Sequence, residues 1–426
     1  MTVEWGSLSF AEAIDYLRQK VNLPTERWTD LREGQHARAF TIAGATRDEL
    51  LADFRATVER VVRGELTLED FRKEFDRIVA AHGWTYKGGR GWRSKVIYET
   101  NLNTAYQAGR YKQMTDPDVL AVRPFWQYDH SDWVRHPRLQ HKAWDGMVLH
   151  WDDPFWDTHY PPNGWGCQCR IQPLSARELA ALGKDGPDPS PPVKEVAHRL
   201  RTSSGDVTVR VPEGLDPGWA YNVGEAAWGR PEHAKRIVDG NESVWEPLPT
   251  WGQVDVDPAT LPRVPADLPV ARLGPTAREG DEIALRGNLR AAIGGDEAVF
   301  VDPTGTHIRL TQAIADHVLE APKRWTGRDA WWPFMPETIA DPAEVWVEFS
   351  RNRETGRIGL VRRYVKLVTV GKDKSIPVIV HAEGGFWIGV TAFFGKADYL
   401  AKLRRGRLVW RRGDLRTRAA GPVAVG

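Results

Sequence analysis

Apolar residues recur at helical spacing through the first 115 positions of this 426-residue chain and at strand spacing through its last third; between them the period is lost. Leu8 to Val21 carries the helical pattern until Pro24 interrupts it. Thr46-Arg47-Asp48-Glu49 reads as an N-cap with acidic first-turn residues and predicts a helix to about Val62. Its inner face would be Leu50, Leu51, Phe54, Val58 and Val61. Gly64 closes it. Thr67 caps the next helix, which turns Phe71, Phe75, Ile78 and Val79 inward and stops before Gly83. A longer helix is predicted over Trp92 to Met114, halted at Asp116-Pro117. These elements make an elongated helical bundle and by themselves name no activity.

From about residue 283 the pattern predicts a compact α+β module. Ile283 to Ile293 is a short helix, and Ala298–Val301 and His307–Leu310 flank the turn Asp302-Pro303-Thr304-Gly305 as a hairpin would. Thr311 caps a helix through Leu319. Four strands follow, Val345–Phe349, Ile358–Val370, Ile376–His381 and Phe386–Phe393, and their short connections predict antiparallel pairing of neighbours. Alternation then separates two faces. One holds Val345, Val347, Phe349, Val361, Val365 and Leu367 and can take the helices. The other gathers Glu348, Arg362, Tyr364, Lys366, His381, Trp387 and Thr391.

The middle of the chain is different. Residues 123–175 are dominated by Pro, Gly, Asp, Trp and His without sustained period, so specific contacts rather than a broad core must hold them. The stretch 183–192 reads as a stiff extended linker, and a second Pro-rich connector spans 247–275, with short strands and turns between.

Composition is that of a globular protein, 41% hydrophobic and 27% charged, which excludes wholesale disorder and collagen-like or coiled-coil arrays. The length suits two to four domains. No run of about 18 apolar residues exists to span a bilayer, so no membrane partner is expected. Met1-Thr2-Val3-Glu4-Trp5 lacks the basic and apolar regions of a secretory signal, which points to the cytoplasm or a particle assembled there. The net charge of +1 hides an asymmetry: residues 290–418 hold 22 Lys and Arg against 15 Asp and Glu. A basic C-terminal module either attracts a polyanion or is an ordinary solvated surface.

Both cysteines, Cys167 and Cys169, follow five of the twelve histidines: His130, His136, His141, His150 and His159. Two cysteines cannot make a disulfide framework. Zinc prefers imidazole and thiolate, and a metal staple suits a segment poor in core. Cys167 and Cys169 supply two ligands, so His141 and one more residue would complete a tetrahedron. The alternative is that the thiols are small buried apolar groups and the histidines only hydrogen-bond.

The runs His141-Lys142-Ala143-Trp144-Asp145-Gly146, Asp152-Asp153-Pro154-Phe155-Trp156 and Tyr160-Pro161-Pro162-Asn163-Gly164-Trp165-Gly166-Cys167-Gln168-Cys169-Arg170 resemble the phage Mu F-like head morphogenesis family. So do Tyr98-Glu99-Thr100-Asn101, Phe40-Thr41-Ile42-Ala43-Gly44 and Leu215-Asp216-Pro217-Gly218-Trp219. Gln168 departs from the arginine the family more often carries. The resemblance implies a minor capsid protein of a phage or prophage, in the capsid interior or portal region of the virion and in the host cytoplasm during assembly. Its implied partners are the portal protein and the major capsid protein, and it implies no chemistry for this half.

The polar face of the C-terminal sheet suits RNA cleavage. A base must take the 2′-hydroxyl proton, an acid must protonate the leaving 5′-oxygen, and cations must steady the phosphorane charge. Glu348 and His381 can trade protons, Arg362 and Lys366 can hold phosphate, and Tyr364 and Trp387 can stack on bases. No metal or other cofactor is required. The alternative is a plain solvated sheet face. Residues Glu297–Arg412 further resemble phage nucleases of the barnase/EndoU/colicin/RelE-like superfamily. The likeness rests on element order and on Ile314-Ala315-Asp316-His317-Val318-Leu319, Asp341-Pro342-Ala343-Glu344-Val345-Trp346, Arg363-Tyr364-Val365-Lys366 and Val390-Thr391-Ala392-Phe393. Catalytic residues vary across that superfamily, so no fixed triad is carried over. His317 is the first acid/base candidate, with Glu348, Arg362, Tyr364, Lys366, His381 and Thr391 completing the set. The implied substrate is RNA, transfer RNA being one candidate.

The expected organisation is multidomain. A mainly α-helical head-protein domain with an irregular Cys/His/Trp-rich motif fills residues 1–175, and a Pro/Gly-rich linker with short strands fills 176–282. An α+β nuclease domain with a four-stranded antiparallel sheet fills 283–418, and 419–426 form a flexible tail. Two rivals stand beside a head protein with an endoribonuclease domain. One is a purely structural head protein whose basic domain binds nucleic acid or portal without catalysis; the other is a polymorphic RNase toxin with a phage-derived delivery half.

Overall fold

The structure, a computed structural model, describes residues 10–132, 134, 137–202, 205–230, 245–248, 273–319, 327–353, 355–370, 373–381, 387–396 and 404–412. Most of the second Pro-rich connector, the tail 419–426, Trp133 and His136 lie outside them. The described residues form two units, the first drawn from Met1–Thr46, Leu50–Glu246 and Arg351–Ile358, the second from Arg47–Glu49, Pro247–Ser350 and Gly359–Gly426. Among the described residues no helix is long and apolar enough to cross a membrane.

The first unit is built on α1 (Ala11–Gln19), α2 (Asp48–Val62), α3 (Leu68–His82) and α4 (Arg90–Met114). Thr67 Oγ1 accepts from the Asp70 N–H at the start of α3. Gly83 ends the helix at φ 55, a left-handed conformation that costs glycine little. Leu50, Leu51, Phe54 and Val58 of α2 and Phe71, Phe75 and Ile78 of α3 are fully buried. Each such side chain contributes about 1.5–3 kcal/mol of transfer free energy, so this stripe is what makes the pair stable. The long α4 packs on α1, on α3 and on the helix Val223–Trp228.

Residues 123–175 hold a sheet that the sequence did not announce. Strand Phe125–Asp129 lies between Val148–His150 and Arg170–Leu174, antiparallel to both. Strands of three to five residues are too short to display a period of two, and burial of Trp126, Tyr128, Val148 and Ile171 holds them instead. Part of the span expected to be linker is also folded. Glu195–Thr202 and Gly205–Pro212 form an antiparallel hairpin. Asn222 caps Val223–Trp228, accepting from Gly224 N and Glu225 N, and its Nδ2 donates to the Trp156 carbonyl. Residues 205–228 therefore pack into the first unit, because Leu215, Trp219, Tyr221 and Val223 are apolar and buried there.

In the second unit the strand order is Arg407–Arg411, Glu344–Asn352, Ile358–Val365, Asp373–His381, Trp387–Lys396, His307–Thr311, Glu297–Val301. The four strands expected from the pattern are contiguous at its centre. Ile358–Val365 pairs antiparallel with Asp373–His381, which pairs antiparallel with Trp387–Lys396. The hairpin Glu297–Val301/His307–Thr311 joins by a parallel contact between His307–Thr311 and Trp387–Lys396, and Arg407–Arg411 closes the other edge antiparallel to Glu344–Asn352. Helix Ala313–Leu319 packs on the Trp387–Lys396 strand, and Met335–Ala340 on the Asp373–His381 strand. Of the residues gathered on the polar side, Glu348, Arg362, Tyr364 and Lys366 are buried rather than open to solvent, and Glu344 through Phe349 are all buried too. Alternation reports which side a residue takes and is blind to whether that side is covered.

Candidate functional site

The buried charges of the second unit are satisfied internally. Asp302, in the turn between the hairpin strands, accepts at Oδ2 from Arg362 Nη2 (2.5 Å), Arg362 Nε (3.2 Å) and Tyr364 OH (2.7 Å). Its Oδ1 takes the backbone N–H groups of Thr304 and Thr306 and the Thr304 hydroxyl. Thr304 Oγ1 also accepts from Arg362 Nη2 at 2.8 Å. The Arg362 and Asp302 side chains are 1% and 0% exposed, so this is a desolvated ion pair with most of its lone pairs and protons matched. Burial opposes the Arg362 charge, but Asp302 and then Tyr364 outweigh it and hold the guanidinium above its ordinary pKa. Burial pushes the Tyr364 hydroxyl well above its own.

The other predicted residues divide. Glu348 does not join Arg362; its Oε2 takes Arg363 Nη2 at 2.7 Å and Arg405 Nη2 at 3.4 Å, and its Oε1 is buried without a hydrogen-bond partner. Lys366 is buried and tied to Glu337 (2.7 Å) and to Asp341 (3.4 Å). The backbone of His381 stands directly opposite Arg362 in the register, and that of Thr391 opposite Val380. His317 lies on the helix Ala313–Leu319. Arg362, Tyr364 and His381 thus share one region of adjacent strands, whereas Glu348 and Lys366 serve other ion pairs. Asp302 is the residue sequence reasoning missed. The available signal was Asp at the head of a Pro-Thr-Gly turn, a residue type that caps its own turn and can leave an oxygen for a second partner.

In the first unit, the sequence cluster condenses. His141 Nδ1 lies 3.8 Å from Cys167 Sγ and 3.6 Å from Cys169 Sγ, and all three residues are buried. His130 Nδ1 reaches Cys169 Sγ at 3.4 Å. The thiols are not a disulfide. The contact between the two sulfurs holds Cys169 below the ordinary thiol value and raises Cys167 above it. His150, by contrast, pairs with Asp152, and His159 stacks on Phe155 with ring centroids 4.1 Å apart. Neither joins the sulfurs.

A separate cavity of about 350 Å³ in this unit is lined by Lys20, Trp28, His36, Trp92, Trp165 and Trp219, among others. Burial lowers Lys20 to about 7 and His36 to about 4, with Lys20 adding to the shift of His36. His159 is lowered to about 4 by burial as well. Unfolded, each histidine would bind its proton near pH 6.5, so between 6.5 and 4 the unfolded chain holds protons the folded one does not. Stability should therefore fall as pH drops through that window, by on the order of 2–3 kcal/mol per histidine. Urea unfolding of wild type, His36→Asn and His159→Asn at pH 7 and pH 4.5 checks this, and the same pH response in all three would contradict it.

Residues 54–172 match the family described as Phage Mu protein F like protein. Residues 284–411 match phage-Barnase-EndoU-ColicinE5/D-RelE like nuclease2. Protein F of Escherichia phage Mu, named for capsid assembly, is 36% identical over 248 residues, 51% of this chain and 55% of the relative. Mu-like prophage FluMu F protein of Haemophilus influenzae is 32% identical over 232 residues, 48% and 54% respectively. The chain spans about half the length of these curated relatives. No solved structure matches it. The chain joins a Phage Mu F-like domain at residues 54–172 to a phage nuclease-like domain of the barnase, EndoU, colicin and RelE kind at residues 284–411.

Proposed function

We propose that this is a minor head protein of a phage or prophage whose second unit is a metal-independent endoribonuclease. The observation that carries the reading is the presence of both domains on one chain. The first unit, on this reading, associates with the portal protein and the major capsid protein, in the capsid interior or portal region, and has no enzymatic role. The second unit draws RNA through its excess of basic residues, nine Lys or Arg against two acids across residues 396–418.

In this proposal His317, on its helix, and His381, on the sheet, exchange the protons, with Thr391 on the strand beside that of His381. Arg362 and Tyr364 act as positioning residues: locked by Asp302, they fix the strand that faces His381 and are too buried to hold phosphate themselves. Glu348 has one unpartnered oxygen, which supports a proton-transfer role, and Lys366 anchors the strand end near Asp341. The boundaries 1–175, 176–282 and 283–418 remain part of the proposal, with 205–228 moved to the first unit. The double variant His317→Ala with His381→Ala should leave head assembly intact in a complementation assay, and loss of particles would contradict the division of labour. A second reading has an observation of its own. Because Arg362, Tyr364, Glu348 and Lys366 are all buried and ion-paired or hydrogen-bonded, the second unit would bind nucleic acid or portal without cutting. Incubation of the full chain with RNA separates the two.

A further inference from the structure

Three buried soft ligands meet in the first unit, with ligand atoms all within 4.8 Å of one another. Zinc bonds of about 2.3 Å to sulfur and about 2.0–2.1 Å to nitrogen, set at tetrahedral angles, place the N and S atoms about 3.5–3.6 Å apart. The His141 Nδ1 distances to Cys169 and Cys167, 3.6 and 3.8 Å, have that edge length. The histidine is also oriented for the task. Its Nε2 is 2.9 Å from the Gly214 carbonyl, which can only accept, so Nε2 carries the proton and Nδ1 turns a bare lone pair to the sulfurs.

A second observation concerns His130. It is buried, its Nδ1 stands 3.4 Å from Cys169 Sγ, and its Nε2 has no hydrogen-bond partner. The nitrogen a metal would use is Nδ1, which the ring already turns to the sulfur. The surroundings hold the cysteine turn rigidly. Asn103 Nδ2 and Gln107 Nε2 of α4 donate to the Cys167 and Cys169 carbonyls, and Asp145 accepts the His130 N–H.

We propose that Cys167, Cys169, His141 and His130 form a structural zinc site. The metal staples the three-stranded sheet to α4 and, through the His141–Gly214 bond, to the segment 205–228. His141, Cys167 and Cys169 already lie within reach of one ion, and His130, at 3.4 Å from Cys169, would close on it as the fourth ligand and leave no position open for catalysis. The inference stands independently of the nuclease reading.

The test uses the full chain, purified reduced and without chelator. Elemental analysis should find about one equivalent of zinc. Removing it should lower the melting temperature, and zinc alone, not magnesium, should restore it. His130→Ala should weaken zinc binding at least about tenfold in competition with a chromophoric chelator. Less than about 0.2 equivalents after added zinc, with an unchanged melting temperature, overturns the site. Wild-type zinc affinity in His130→Ala overturns the four-ligand assignment.

Discussion

Replacing Asp302 by alanine should destabilise the second unit by about 3–5 kcal/mol, the cost of leaving a buried charge without its partner. Arg362 would keep the Thr304 and Tyr364 hydroxyls but lose the Asp302 carboxylate at 2.5 Å, in a place where its side chain is 1% exposed. Thr304 N and Thr306 N would lose their acceptor in the same step. The double variant Asp302→Leu with Arg362→Met should recover most of the loss, since it removes both charges and keeps the volume apolar. Urea unfolding of Asp302→Leu, Arg362→Met and the double gives the coupling energy directly. A loss below about 1 kcal/mol in Asp302→Ala would mean that the pair is not desolvated as the geometry indicates.

The second large effect concerns rate. His317→Ala and His381→Ala should each fold like wild type and cleave RNA about 10²–10⁴ times more slowly, the range for removing one proton-transfer group. Tyr364→Phe keeps the ring and loses one hydroxyl to Asp302, so it should slow cleavage less and leave its pH profile unchanged, as suits a positioning residue. Lys366→Ala is a poorer probe than its sequence position promises. The ammonium is buried against Glu337 and Asp341, so its removal loosens the end of helix Met335–Ala340 as well as deleting a cation. Full activity in both histidine variants would remove them from the mechanism.

Much of this fold was legible because much of it is local. A threonine three residues before an acid and a glycine at a left-handed φ set the ends of α3 with no help from distant residues. The central strands followed from runs of β-branched and aromatic residues between short turns. The site was only partly legible. Alternation put Arg362 and Tyr364 on one side, where they do meet, but it could not supply Asp302, which lies 60 residues away from Arg362. It grouped Glu348 with them, although the partner Glu348 finds is Arg363, the neighbour with opposite parity. Strand pairing offsets and counter-ions are tertiary facts, and a period of two carries neither. The cysteine knot sits between these cases: soft ligands clustered in sequence, yet the orientation of His141 depends on a carbonyl 73 residues further on.

The most direct measurement is RNA cleavage by the full chain in the presence of EDTA, with circular dichroism confirming that the protein stays folded. Fragments should accumulate without added metal, and they should be nearly absent with His317→Ala and His381→Ala. No cleavage of any RNA by the wild-type chain, or cleavage only after a divalent metal is restored, would contradict the proposed endoribonuclease.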